Sequence, residues 1–263
     1  MQQIDFYMVD AFASATFGGN AAAVCPLTEW LPDDTLLKMA KQHNQSETAF
    51  FVTTDQGFEL RWFTTLGEIN LCGHATLASA HVIFEHLDYP HNTIEFSTRF
   101  VGPLTVTRNG EWLTLNFPVW QTEPVQAPSL LLKGLGIETC KEVRVARDYL
   151  VVLDSQRQLE SLRPDVGVML PLGKSVCVTA PGEGTYDFVS RFFCPGDAVA
   201  EDPVTGSAHT MLIPYWSEKL SKNRMLARQV SARGGDLRCE LAGDRVYISG
   251  QAITYLTGTV FLR

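Results

Sequence analysis

One local pattern is written twice in this chain. Arg61-Trp62-Phe63-Thr64-Thr65-Leu66-Gly67-Glu68 runs on to Cys72-Gly73-His74-Ala75, and Arg191-Phe192-Phe193-Cys194-Pro195-Gly196-Asp197 runs on to Thr205-Gly206-Ser207-Ala208. In each copy Arg-aromatic-Phe closes a strand-like run, a glycine and an acid follow as a turn, and Gly-polar-Ala opens an apolar helical stretch. The two arginines lie 130 residues apart and the two helix starts 133 apart, close to half of the 263-residue chain, which is the mark of an internal duplication. About six positions match, so a chance likeness of two strand-loop-helix units is the competing explanation. The length allows one large domain or two small ones. The repeat selects two: residues 1–120 and residues 130–263. The stretch 121–129, with two prolines and no periodicity, joins them as a linker. The final strand is free to pack on the first half.

Strands dominate the pattern. Ile4 to Val9, Ala49 to Thr53, Phe58 to Phe63, Thr93 to Phe96, Leu104 to Thr107 and Trp112 to Phe117 alternate or are β-branched, with Asn109-Gly110 as a hairpin turn. Tyr149 to Leu153, Ser175 to Thr179, Tyr186 to Phe193, Arg245 to Ile248 and Gln251 to Phe261 read the same way. Helices are few. Pro32-Asp33-Asp34 starts one with acids in its first turn. The stretches from Gly73 to about Phe84 and from Thr205 to about Leu220 are apolar nearly all round, which predicts a buried helix in each half.

Composition narrows the function. Apolar residues make up 45% and charged residues 19%, as in an ordinary globular protein. A net charge of −8 argues against a nucleic-acid surface, which needs clustered cations to displace counterions, and against docking on an anionic membrane. No run reaches the ~18 apolar residues of a spanning helix. Met1-Gln2-Gln3-Ile4-Asp5 has neither a basic nor an apolar leader region, so a cytoplasmic location is expected. The six cysteines form no CxxC pair and are expected to be free thiols there.

The two helix starts carry the chemistry. A helix N-terminus offers unsatisfied N–H groups and partial positive charge, and a glycine there lets a ligand approach the backbone. Two such ends facing one cleft suit a carboxylate or an enolate oxygen. Near them stand His74 after Gly73, Asp202 before the second helix, Ser207 after Gly206 and Glu47 in Gln45-Ser46-Glu47-Thr48-Ala49-Phe50. A carboxylate in apolar company is expected to have a raised pKa, which suits general acid–base work. Each residue also has a plain structural reading. Glu47 could complete a cap or pair with a lysine, His74 could cap its own helix, Asp202 could sit in an Asp-Pro turn, and Ser207 could bond backbone. Gly18-Gly19-Asn20 reads as a tight turn. Gly173-Lys174-Ser175 lacks the first phosphate-loop glycine, having Val168 there. There is no GxGxxG after a strand, no HExxH and no GxSxG, and His81, His86 and His91 are spaced wrongly for one helical face. No metal site is expected.

Taken together, several segments resemble the PhzF-like family, the phenazine-biosynthesis isomerase group. They are Asp10-Ala11-Phe12, Phe17-Gly18-Gly19-Asn20-Ala21-Ala22-Ala23-Val24, Gln45-Ser46-Glu47-Thr48-Ala49-Phe50, Leu60-Arg61-Trp62-Phe63-Thr64 and Leu71-Cys72-Gly73-His74-Ala75-Thr76-Leu77-Ala78. With them go Glu201-Asp202-Pro203-Val204-Thr205-Gly206-Ser207-Ala208-His209 and Pro214-Tyr215-Trp216. The resemblance implies a diaminopimelate-epimerase-like α+β fold: two pseudo-symmetric domains, each a mixed β-sheet barrel around a central helix, with the active site in the cleft between them. In the best-known member a glutamate moves a proton within a cyclohexadiene carboxylic acid, and that position is Glu47 here. The resemblance further implies catalytic His74 and Asp202, substrate binding by Gly73, Gly206 and Ser207, no cofactor, no metal, and a homodimer acting on a small carboxylic acid. The wider superfamily holds racemases and epimerases with two cysteines. Cys72 matches the first, but Asp202-Pro203-Val204-Thr205-Gly206 lacks the second. The alternatives are therefore a racemase pairing Cys72 with Asp202 or Glu47, and a non-catalytic protein that binds a small acid.

Overall fold

The duplicated arginines explain why the pattern is repeated. A computed structural model of the chain describes residues 1–197 and 199–263. In it Arg61 Nε and Nη2 donate to the two oxygens of Glu68 at 2.7 and 2.8 Å. Arg191 Nε and Nη2 donate to the two oxygens of Glu201, both at 2.8 Å. Each guanidinium also stacks on the phenylalanine two residues on, 5.1 Å from the ring of Phe63 and 4.9 Å from that of Phe193. A planar fork answered by a carboxylate and an aromatic face is a directional lock. The acid of the second copy is Glu201, where the sequence pattern had pointed to Asp197. Seven residues separate Arg61 from Glu68 and ten separate Arg191 from Glu201, so the second loop is longer by three.

The chain forms two compact units, one of Met1–Asn116 with Ser249–Arg263 and the other of Phe117–Ile248. The first contains β1 (Gln2–Ala11), β2 (Asn20–Leu27), α1 (Asp33–His43), β3 (Thr48–Thr54), β4 (Gly57–Phe63), β5 (Glu68–Ile69), α2 (Gly73–His86), β6 (Thr93–Thr98), β7 (Leu104–Asn109) and most of β8 (Trp112–Pro118). The second contains β9 (Glu123–Pro124), α3 (Ser129–Leu135), β10 (Glu142–Val145), β11 (Tyr149–Val152), α4 (Gln156–Ser161), α5 (Val166–Met169), β12 (Val176–Pro181), β13 (Phe188–Phe193), β14 (Glu201–Asp202), α6 (His209–Leu220), β15 (Arg224–Gln229), β16 (Gly235–Ala242) and the start of β17 (Arg245–Gly250). The last strand, β18 (Ala252–Leu262), pairs antiparallel with β1. The stretch 121–129 holds β9, which pairs with β10, and the first residue of α3.

Strand pairing repeats step for step. In the first unit β1–β2 is antiparallel, β2–β3 parallel, β3–β4 antiparallel, β4–β5 antiparallel, β4–β6 parallel and β6–β7 antiparallel. In the second the same order runs through β10–β11, β11–β12, β12–β13, β13–β14, β13–β15 and β15–β16. This is a mixed α+β architecture in which each sheet wraps one central helix.

Small side chains make the wrapping possible. All but the last two residues of α2 and one histidine are buried, and α2 packs on β1, β2, β3 and β18. Strand β2 carries Ala22, Ala23, Val24 and Cys25, all fully buried, with α2 on one face of the sheet and α1 on the other. Close approach of helix and sheet maximises dispersion contact. In the second unit α6 contains Pro214, which has no N–H for the Thr210 carbonyl. The Trp120 N–H donates to that carbonyl at 3.1 Å instead, so the break in the helix ladder is filled by the chain segment ahead of β9. Trp216 of α6 stacks on Phe188 of β13 at 5.8 Å, and its Nε1 donates to Thr179 Oγ1 of β12 at 2.9 Å. No helix among the described residues is long and apolar enough to cross a membrane.

Candidate active site

Glu47 stands between two elements. Helix α1 ends at Asn44, whose left-handed backbone turns the chain, and β3 begins at Thr48. The Glu47 carbonyl accepts from the Ala23 N–H, which seats the residue beside β2. Its Oε2 lies 3.2 Å from His74 Nε2. His74 is the second residue of α2 and is buried. It does not cap its helix, because its ring is held by other side chains. Cys72 Sγ is 3.4 Å and the Asn20 side-chain amide 3.1 Å from His74 Nδ1. Against a neutral ring the Asn20 amide donates to Nδ1. Against the imidazolium its carbonyl end takes the Nδ1 proton. In both states a proton on Nε2 faces Glu47.

The charges follow from these contacts. Burial pushes the Glu47 carboxyl upward, but the His74 charge, with help from Ser46, outweighs it and holds Glu47 below the ordinary carboxylate range. This differs from the raised pKa that apolar company alone predicted. Burial pulls His74 down, yet the Cys72 sulfur and the Glu47 carboxylate raise it well above an ordinary imidazole. Burial and the Glu47 charge push the Cys72 thiol up to about 11, so at neutral pH it is a neutral thiol and Glu47 is the anion of the group. Glu47 Oε2 is buried, and the His74 contact has ion-pair length without hydrogen-bond alignment, so this oxygen has no satisfied hydrogen bond. Native interiors rarely leave such an acceptor unless it has another use.

Asn20 and the turn before it carry a signal that the tight-turn reading missed. Gly19 has φ +62°, and a Cβ there would stand 2.1 Å from the Ala11 carbonyl oxygen. The Phe17 N–H donates to the buried Asp10 carboxylate at 3.0 Å. The turn is thus closed onto β1, and the residue it delivers to β2 is the one beside His74.

In the second unit, Asp202 is on β14. Thr205 Oγ1 donates to its Oδ2 at 2.5 Å, and Gln229 Nε2 donates to its carbonyl at 2.6 Å. The fully buried Gln229 also accepts from the Thr205 N–H at 2.9 Å. The Asp-Pro turn is therefore pinned at two points to β15. The helical stretch was expected from Thr205, but regular α6 begins at His209. Gly206, Ser207 and Ala208 form a tighter lead-in, with i+3 bonds from the amides of His209, Thr210 and Met211. Ser207 Oγ accepts from Arg147 Nη2 at 3.1 Å. Arg147 and Gln229 carried no motif in the sequence. The structure thus brings Glu47, Gly73 and His74 together in the first unit, and groups Asp202, Gly206 and Ser207 around the start of α6 in the second.

Glu47, Cys72 and His74 also have their donor atoms within 4.8 Å of one another. With Cys72 a neutral thiol and the histidine drawn toward its protonated form, the set is arranged for holding protons.

Comparison with known proteins bears on the family and the fold. The family model described as "Phenazine biosynthesis-like protein" matches residues 9–258. An uncharacterized isomerase of Pseudomonas aeruginosa is 47% identical over 261 residues, covering 99% of this chain and 100% of the relative. The crystal structure of a PhzF-family phenazine biosynthesis protein from Enterococcus faecalis superposes with a TM-score of 0.95 at 41% identity, covering 99% of this chain and 100% of that one. A predicted epimerase from Pseudomonas aeruginosa has a TM-score of 0.76 at 20% identity, over 99% of this chain and 100% of its own, and shares the fold.

Proposed function

The chain belongs to the family of phenazine biosynthesis-like proteins and is an isomerase, and from that premise we propose that it moves a proton within a small carboxylic acid, with Glu47 as the base. One observation carries this reading: an ionised, half-buried Glu47 has a buried oxygen, Oε2, left without an aligned hydrogen bond beside a protonated His74. The Glu47 carboxylate takes a proton from a carbon made acidic by conjugation, and the electron pair of that C–H bond delocalises over the substrate. The carboxylic acid so formed returns the proton at another carbon, and the double bond moves with no change of oxidation state. The His74 Nε2–H and the Gly73 amide stabilise the charge that develops. Asp202, Ser207 and the Gly206 amide act on the same substrate by binding and orienting it. No cofactor or metal takes part in this scheme. A substrate that is cyclic and unsaturated fits it, because conjugation is what acidifies the C–H.

The racemase reading needs Cys72 as a thiolate, and the shift of that thiol to about 11 opposes it. The binding-protein reading leaves the orphaned Glu47 oxygen as a cost without a use.

The test is an ordering. A panel of cyclic unsaturated carboxylic acids is incubated with the protein in deuterated water, and the acid that gains deuterium at a new carbon is used for kinetics. Glu47→Gln is expected to lower turnover by on the order of 10²- to 10⁴-fold while the acid still binds. Asp202→Asn is expected to cost less, and Cys72→Ala least. Loss of activity in Cys72→Ala with activity kept in Glu47→Gln reverses the assignment in favour of the racemase. Two copies of the chain are further proposed to associate, as argued at the scale of the whole molecule below.

A further inference from the structure

We infer that Arg147, together with the Ser207 hydroxyl, is the receptor for the carboxylate of the substrate. This inference rests on the proposed acid isomerase and names the group that reads the acid. Arg147 lies in the turn between β10 and β11, where the Ala146 N–H donates to the Asp148 carbonyl at 3.1 Å. Lys174 Nζ donates to the carbonyls of Ala146 and Arg147 at 3.0 and 2.8 Å, which fixes the turn and adds a second positive charge to it. The guanidinium is oriented on three sides. Its Nε and Nη2 donate to Asp148 Oδ2 at 2.7 and 2.5 Å. Its plane lies over the Trp120 ring, 4.5 Å from the centroid. Its Nη2 also donates to Ser207 Oγ at 3.1 Å.

That leaves a defined set of open donors. Nη1 makes no hydrogen bond among the described residues, and the Arg147 side chain keeps 40% of its surface exposed. Ser207 Oγ is an acceptor toward Arg147, so its own O–H is directed elsewhere. A carboxylate that takes one Nη1–H and the Ser207 O–H would complete a planar fork already held rigid by Asp148 and Trp120. Asp148 cancels one charge but is buried against the far edge of the guanidinium, and Lys174 restores a local excess of positive charge. A neutral amide of the same shape would be a poorer occupant, since its NH₂ end would face a donor.

The experiment titrates benzoate and its neutral isostere benzamide into the protein, with NMR saturation transfer and shift changes as the readout. Wild type is expected to bind benzoate at least about tenfold more tightly than benzamide, the difference a charge-assisted pair gives over a neutral one. Arg147→Gln is expected to erase that preference, and Arg147→Lys to keep part of it as a point charge without the fork. Because Arg147→Gln leaves buried Asp148 unpaired, the double variant Arg147→Gln/Asp148→Asn is titrated alongside, with melting curves as the check on folding. Loss of the benzoate preference in the double variant supports the assignment. A preference kept in the double variant, or no preference in wild type, overturns it. Binding at equilibrium needs no turnover, so this result and the ordering of the Glu47 series fail independently.

Discussion

At the scale of single residues, burial and neighbouring charge together decide protonation, and the two buried histidines at the helix starts are driven in opposite directions. His209 is fully buried, its Nδ1–H donates to the Thr205 carbonyl at 2.9 Å, and its Nε2 has no partner. Burial takes it from 6.5 down to about 4, with the Thr205 carbonyl opposing. The unfolded chain therefore binds this proton first as pH falls. The stability that comes from neutral His209 is complete above pH 6.5 and is lost as pH drops toward about 4. Urea unfolding between those pH values is expected to show wild type losing on the order of 3 kcal/mol to this group, and His209→Gln showing a flatter profile. An unchanged profile in His209→Gln would place the acid sensitivity elsewhere. His74, which burial lowers but the Glu47 carboxylate and the contact with the Cys72 sulfur raise well above 6.5, works the other way. Its contribution is complete below pH 6.5 and fades as pH rises through its folded value. The residue types at 47 and 74 were legible in the sequence. Their charge states were not, because desolvation depends on what folds around them.

At the scale of elements, each repeat is locked by its own arginine–glutamate fork. Arg61 and Glu68 keep only 11% and 13% of their side-chain surface, and Arg191 and Glu201 keep 12% and 25%. Removing Glu201 leaves the shielded Arg191 without a carboxylate, whereas removing Glu68 leaves Arg61 its second carboxylate, Asp33, at 2.8 Å. Glu201→Ala is expected to lower stability by about 2–4 kcal/mol and Glu68→Ala by less, as measured by denaturant unfolding. Arg191→Leu is expected to cost more than Glu201→Ala, because Arg191 also donates to the Leu159 and Leu162 carbonyls at the end of α4. Equal stability of Glu201→Ala and wild type would show the fork to be ornamental. The sequence pattern revealed the arginines and both helices but matched the wrong acid, since three extra residues in the second loop shift the carboxylate beyond the aligned position. Strand β2 was also invisible. Its Asn20-Ala21-Ala22-Ala23 start has low strand propensity, and only the tight packing of α2 makes small residues the right ones there. Strands β15 and β16 escaped for another reason: Arg224, Arg228, Asp236, Arg238 and Glu240 do alternate with buried Met225, Ala227, Leu237 and Cys239, but exposed Leu226 and buried Gln229 blur the polar–apolar order of β15.

At the scale of the whole molecule, strand β18 leaves an apolar surface to be covered. Phe17, Tyr255, Leu256 and Phe261 are 69%, 53%, 45% and 57% exposed. Phe17 and Tyr255 make an edge-on contact at 5.7 Å, so the rings form one patch. Exposed apolar side chains that cluster in this way mark an interaction surface, and a second copy of the chain is the proposed occupant. Light scattering at micromolar concentration is expected to give about twice 29.2 kDa. Tyr255→Glu with Phe261→Glu is expected to reduce this to a single chain. A wild-type mass equal to one chain refutes the association.

The amino-acid order by itself determined the duplication, the two buried helices, the family, and the kinds of side chain at positions 47, 73, 74, 202, 206 and 207. These are local facts, since hydrophobic period, helix-starting glycines and short motifs are all written within a few residues of one another. Only the tertiary structure decided that Asn20 orients His74, that Glu201 answers Arg191, that Trp120 fills the gap left by Pro214, and that Arg147 reaches Ser207 across 60 residues of chain. The physical reason is separation. Each of these contacts joins groups whose spacing along the chain has no period, so they meet only after the sheets have wrapped their helices and excluded water.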